Sequence, residues 1–287
     1  MIRTATLALC FGALLRSVSR GESETRTDKS EFNLFHPTPN NLLRSFSADR
    51  PSQSTGPYTV DAGHFYLEIS ADSYLFDEPG GGTRVERWNV APFNFRIGLT
   101  NDVELDFAYA DYIHLRIEDR ASGKTETHDG LGDFVLQAKI NLLGNDGGKV
   151  ALSLIPFLKI PTNTNGLGND SVEGGLGIPF QAMLPGGLTL ALETGAQAVR
   201  NDSDTGYDPA FFNAVLLSHS LFVDKLTGYL EYYDVGTANS ETTHAAFIDT
   251  GLIYQILPNA EIDLGCNFGV TDAAPDYQPF VGFSFRF

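Results

Sequence analysis

Cysteine is almost absent from this chain, with 2 in 287 residues, Cys10 and Cys266. Cys10 lies in the apolar part of what reads as a secretory leader, so Cys266 stands alone. An exported product then has no intramolecular disulfide and must be stabilised another way. Long apolar runs are also lacking. Beyond the leader no stretch approaches eighteen apolar residues, and mean hydropathy is −0.10, which excludes membrane-spanning helices. Cations are scarce, 19 Lys and Arg against 36 Asp and Glu for a net charge of −17, with no basic cluster. Nucleic acid is therefore excluded as a partner, because phosphate binding needs clustered positive charge.

What is present begins with Arg3, an apolar stretch from Ala5 to Leu15, and the small residues of Ser17-Val18-Ser19. This is the order of a signal peptide, and residues 1–20 are set outside the fold. Residues 21–56 are polar, rich in Ser, Thr, Asn and Pro, and read as a periplasmic N-terminal segment. Its apolar residues Phe32, Leu34, Phe35, Leu42 and Leu43 leave open whether it docks on something larger or stays disordered. Residues 57–287 read as one β domain.

In that domain the period is two, the period of strands with chemically different faces. Phe65, Leu67, Ile69 and Ala71 alternate with Tyr66, Glu68, Ser70 and Asp72. Phe93, Phe95 and Ile97 alternate with Asn94, Arg96 and Gly98. A third run carries Val103, Leu105, Phe107, Tyr109, Ile113, Leu115 and Ile117 on one face, interrupted only by Asp111. Further strands are predicted over 134–142, 149–160, 173–184, 188–197, 210–221, 226–234, 245–256, 260–270 and 278–287. The total is about twelve, each near the ten residues that a tilted strand needs to cross a bilayer.

The connections alternate in length. Tight turns stand at Asn101-Asp102, 144–148, 185–187, 223–225 and 257–259, rich in residues that tolerate hairpin angles. Between them lie longer polar stretches at 119–129, 161–171, 201–208 and 236–243. Short turns on one side and long loops on the other predict an all-β, antiparallel, up-and-down transmembrane barrel, with the turns periplasmic and the loops extracellular. A secreted soluble β-sandwich binding protein would alternate too, but its exposed face should be charged and its loops unordered in length.

The chain ends with Val281, Phe283, Phe285 and Phe287 on one face. This ending resembles the C-terminal signal that outer-membrane barrels present to their assembly machinery, which makes the Phe287 strand the contact for that partner. Asp49-Arg50-Pro51, then Gly56-Pro57-Tyr58-Thr59-Val60-Asp61-Ala62-Gly63-His64-Phe65-Tyr66-Leu67-Glu68, resembles the start of the outer-membrane transporters named for the meta-pathway of phenol degradation. Gly130-Leu131-Gly132-Asp133 with Lys139 is similar to the same family's middle segment. The resemblance implies a location in the bacterial outer membrane, contact with its lipid, and passive passage of small, aromatic solutes.

On the polar faces the candidate pore-lining residues are Glu68, Asp72, Arg96, Glu104, Asp106, Arg116, Asp133, Lys139, Lys159, Glu193, Glu231, Glu261, Asp263 and Arg286. They either set a field that selects cations or pair within the wall, as Arg96 and Asp106 would across the Asn101-Asp102 hairpin. Glu104, Asp106, Glu261 and Asp263, each pair just past a tight turn, suggest an acidic mouth. No catalytic, cofactor or metal site is expected. Ser218-His219-Ser220 alternates across the wall, which argues against a lipid-modifying barrel enzyme, the runner-up reading. The remaining histidines have no ligand spacing, and the acids of 201–208 lack a calcium loop's Gly and Glu positions.

Overall fold

The computed structural model describes residues 28–201, 203–223, 225–238 and 244–287; the expected leader lies outside them. Fifteen strand segments form one sheet. They are β1 (Phe65–Gly80), β2 (Thr83–Val90), β3 (Phe93–Gly98), β4 (Val103–Tyr109), β5 (Tyr112–Asp119), β6 (Lys124–Gly130), β7 (Phe134–Leu143) and β8 (Val150–Ile160). There follow β9 (Glu173–Met183), β10 (Leu188–Arg200), β11 (Tyr207–Ser220), β12 (Leu226–Thr237), β13 (His244–Leu257), β14 (Ala260–Gly269) and β15 (Tyr277–Arg286). Three pairs, β2 with β3, β4 with β5 and β6 with β7, run end to end, so the sheet has twelve antiparallel staves. β15 pairs with β1 and closes it, leaving no edge along the main wall. Phe65 and Phe287 exchange both backbone hydrogen bonds at the seam, 3.0 Å each.

The two faces are chemically inverted relative to a soluble protein. Arg96, Glu104, Lys139, Glu231 and Asp249 are fully buried, while Leu230 and Leu264 are each 55 % exposed. Such an apolar outer surface is disfavoured in water and favoured against lipid, and charges are retained inside where partners exist. The soluble sandwich is thereby excluded. At the end carrying the tight turns, Phe65, Phe95, Phe285 and Phe287 stack around the seam as part of an aromatic girdle.

One feature of the wall departs from simple alternation. The rung Ile69–Phe93–Tyr109–Phe134 and the rung Asp72–Val90–Tyr112 bracket a line where four neighbouring staves all break. β1 is irregular between Ser70 and Asp72, Ala91 takes a positive φ of 53° before Pro92, and 110–111 and 131–133 separate the other segments. An extra residue in one stave turns every later side chain to the opposite face. Asp72 consequently sits outside, exposed, opposite Val281. Ile113, expected outside, is buried in the wall's interior.

Beyond the line, β1–β2 and β5–β6 continue as two hairpins, so 83–90, where no strand is predicted, and most of 119–129, expected as connection, are strand. Gly80, Gly81 and Gly82 all have positive φ and make the tight reversal between β1 and β2.

Candidate functional site

The N-terminal segment enters the barrel. Residues 33–36 pair with the β3–β4 turn through Leu34 N to Leu99 O and the Asn33–Thr100 bridge, and Asn40–Leu42 makes one 3-10 turn. From Arg44 to Asp61 the chain crosses the lumen in irregular conformation. Such a segment has no ladder to satisfy its own N–H and C=O groups, so each buried one needs a partner from the wall.

The wall's charges are those partners. Glu231 Oε2 accepts from Gln53 N at 2.7 Å and Oε1 from Ser54 N at 3.0 Å, and the Ser54 hydroxyl also donates to it. Glu193 accepts from Thr55 N at 2.8 Å, Glu68 from Asp49 N at 3.1 Å, and Glu104 from Val60 N. From the opposite sign, Arg96 and Lys139 both donate to Tyr58 O, at 3.0 and 3.2 Å, and Arg286 donates to Arg44 O at 2.7 Å. Asn141 and Ser153 donate to Pro57 O.

Two plug side chains complete the set. Asp49 receives Lys139 at 2.7 Å and Arg96 at 3.2 Å, and Arg50 forms a two-pronged pair with Asp263. Arg96 also pairs with Glu68 and Glu104, both at 2.8 Å. At the turn end, Lys29 and Arg44 grip Asp146 in the β7–β8 turn at 2.7 and 3.2 Å. Burial would raise the Asp146 carboxyl, but hydrogen bonds from Lys29 and Asn101 and the charges of Arg44 and Lys29 hold it below its ordinary range.

Eight of the fourteen pore-lining candidates therefore touch the plug: Glu68, Arg96, Glu104, Lys139, Glu193, Glu231, Asp263 and Arg286. Asp106 faces Arg96 across the hairpin by register, yet Arg96 turns to Glu104 and Glu68, and Asp106 accepts from Gln137 at 2.9 Å. Asp133 and Lys159 lie in the loop-side half, where Lys159 also meets Glu173 at 2.9 Å. Glu261 lines a cavity at the turn end with Arg286 and Lys225.

Two candidates are corrected. Asp72 is outside because of the β1 bulge. Arg116 is outside because the break between β4 and β5 inverts the face; it pairs with Glu86 at 2.7 Å and Glu118 at 3.1 Å beside Trp88 and His114. Residues not singled out from sequence include Glu173, Asp249 and the plug's Asp49, Arg50 and Arg44. Asp249 was legible as the inward position between Phe247 and Gly251.

Among the cavities above the plug, on the loop side, two combine aromatic and polar walls. One of about 300 Å³ is walled by Phe157, Phe212, Tyr233 and Ile155 and by Gln137, Gln197 and Glu193, with Gln53 and Thr55 of the plug as floor. The other, about 380 Å³, lies among Arg87, Asn89, Ser73, Gln278 and Phe280 over Arg50 and Ser52. On the turn side, cavities of about 620 and 570 Å³ flank Arg44 and Ser45.

The model of the family described as "Putative MetA-pathway of phenol degradation" matches residues 48–287, from the plug to the last strand. The chain belongs to this family. Among solved structures it is similar to an outer-membrane channel from Pseudomonas putida F1, with a TM-score of 0.64 at 12 % identity over 83 % of this chain and 100 % of that one. Weaker likenesses are to the NanC porin, TM-score 0.49 and 10 % identity over 76 % and 98 % of the two chains, and to the CymD monoaromatic hydrocarbon channel, 0.43 and 9 % over 78 % and 87 %. No curated protein sequence matches closely enough to count as a relative. The fold of the family member described here is that of an outer-membrane barrel, in keeping with its apolar outer face.

Proposed function

We propose that this member of the family is a channel of the bacterial outer membrane for passive passage of small, weakly polar solutes, monocyclic aromatics foremost. The observation that carries this reading is the loop-side cavity, where the rings of Phe157, Phe212 and Tyr233 face the amides of Gln137 and Gln197. Aromatic walls offer stacking and edge contacts to a ring, and the amides and Glu193 offer hydrogen bonds to a hydroxyl substituent. A solute entering between the loops rests on Gln53 and Thr55 and continues when the plug yields. Outer-membrane lipid contacts the apolar band, and the strand ending at Phe287 is the handle for assembly.

The reading is non-enzymatic. Ser218 faces the lumen, whereas His219 lies on the other face with its ring nitrogen 3.0 Å from Gly186 O, so neither activates the other. His114 and Tyr112 both bond Asp129 on the exposed outer face of the β5–β6 hairpin, with no hydroxyl nucleophile served by the imidazole.

The test is single-channel recording in planar bilayers on the full chain and on a variant lacking residues 28–58. The full chain should conduct little, and the shortened one steadily. Added phenol should block the shortened channel, and F157A with F212A should abolish that block. A silent shortened barrel would mean a filled lumen; conduction indifferent to aromatics would refute the solute class.

A further inference from the structure

Most buried acids of the wall are explained by the plug or by a neighbouring base, but Asp249 is not. The register sets Glu231, Asp249 and Asn267 side by side on β12, β13 and β14, all facing inward. They are 0, 0 and 8 % exposed. Both carboxylate oxygens of Asp249 are buried without a hydrogen-bond donor. Asn267 directs its amide nitrogen to Gln278 at 3.3 Å and leaves its oxygen buried and unpartnered.

One rung toward the tight turns, the Tyr229 ring lies across Gly251, where a side chain would collide with it, and the Tyr229 hydroxyl is likewise buried without a partner. Glu231 and Asp249 are direct cross-strand partners on the inward face, so their carboxyls lie side by side. Two ionised carboxylates cannot bond one another, and burying both uncompensated is costly. Among the described residues neither forms an ion pair, and Arg50 is committed to Asp263.

These neighbouring inward positions offer only oxygens that lack a donor or can accept another: two from Asp249, those of Glu231, the Asn267 carbonyl and the Tyr229 hydroxyl, with the two carboxylates bearing the negative charge. All-oxygen sites with two carboxylates suit hard divalent cations, and softer metals prefer nitrogen and sulfur. A second acidic group, Asp49, Glu104 and Asp106, also brings its oxygens within 4.8 Å of one another, but there Arg96 and Lys139 already occupy Asp49 and Glu104 as ion-pair partners. We propose that Glu231, Asp249, Asn267 and Tyr229 bind a divalent cation of calcium's class. Because Glu231 also receives Gln53 and Ser54, the bound ion fixes the middle of the plug to the wall.

The experiment uses protein purified from membranes in detergent, stripped with chelator, and shown folded by heat-modifiable gel mobility. Terbium(III), which takes calcium's ligands and luminesces when a nearby tyrosine is excited, is titrated in and then displaced with Ca²⁺. The expected result is tyrosine-sensitised emission from the wild type, competed by Ca²⁺ and lost in D249N. Asp249→Asn keeps the side chain's shape and relieves repulsion, so it should retain the mobility shift. Absence of emission from folded wild type, meaning that the two carboxyls share a proton, overturns the proposal. Emission from D249N equal to wild type, meaning that exposed loops hold the ion, overturns it as well.

Discussion

Arg50 and Asp263, 213 residues apart, meet as a two-pronged pair with the shorter bond at 2.8 Å, and the plug is tied through it to the stave next to the barrel's seam. Asp263 is buried to 2 % exposure, whereas the Arg50 side chain is 18 % exposed. Removing the guanidinium leaves a buried carboxylate alone, a change that costs about 3 kcal/mol in a fully buried pair and somewhat less here. Arg50→Leu should therefore weaken plug docking without opening the sheet. Single-channel recording should show brief openings absent from the wild type, and the heat-modifiable gel shift should persist. Wild-type silence in R50L would mean that this pair does not hold the plug.

The acidic mouth needs revising. Glu104 is the partner of Arg96 and Lys139, and Asp263 of Arg50, so these acids are structural counter-charges. Glu104→Gln should lower thermal stability by about 3 kcal/mol and leave ion preference alone. Glu261, in the turn-end cavity, is the acid whose neutralisation should lower cation preference. Reversal potentials in a salt gradient, measured on E261Q and E104Q in the plug-deleted background, separate the two effects. Equal shifts in both would restore the acidic mouth as one unit.

Acid should release the N-terminal clasp. The Asp146 carboxyl is depressed below its ordinary value of 3.8 in the folded protein. A depressed folded pKa means stabilisation that is fully present above the unfolded pKa and is lost as pH falls through the folded one. The clasp with Lys29 and Arg44 should thus hold down to about pH 4 and loosen below it. Pepsin cleavage between residues 28 and 44, followed by mass spectrometry, should appear only under those acid conditions. In D146N it should lose that pH dependence across the acid range; cleavage of the wild type unchanged between pH 5 and pH 2 would refute the clasp.

Much of this architecture was legible in the sequence because the two solvents of a membrane barrel are written into alternate residues. β10 to β15 keep the alternation apart from one irregularity between Gln255 and Leu257 beside the β13–β14 turn, and their faces and turns stand where the period of two puts them. The broken staves were not legible, since periodicity over 103–117 continues through Asp111 in phase while the backbone does not. Pro92, Asp111 and the Gly130–Asp133 cluster were the available signals. The plug was legible only as an open alternative between docking and disorder. Asp49 and Arg50 sit in an aperiodic stretch, and the wall's inward charges read, from sequence alone, as a selecting field or as pairs within the wall, not as partners for that stretch.

Solute size should be set by Phe212. Its ring covers Gly195 on the neighbouring stave, where any side chain would collide with it, and stands 6.3 Å from the Phe157 ring at the edge of the loop-side cavity. Phe212→Ala removes a ring from a close-packed but partly open site, so its cost should fall at or below the ~3 kcal/mol lower end for buried Phe truncations. The space released extends the cavity over Gly177 and Gly195, enough to admit a second fused ring. In the plug-deleted channel, F212A should respond to naphthol as strongly as to phenol, where the parent responds chiefly to phenol. Gly195→Ala should act oppositely, pushing the Phe212 ring inward and weakening the phenol response. If both substitutions leave the two responses unchanged, the aromatic solutes bind elsewhere, and the cavity among Arg87, Asn89 and Phe280 becomes the place to substitute next.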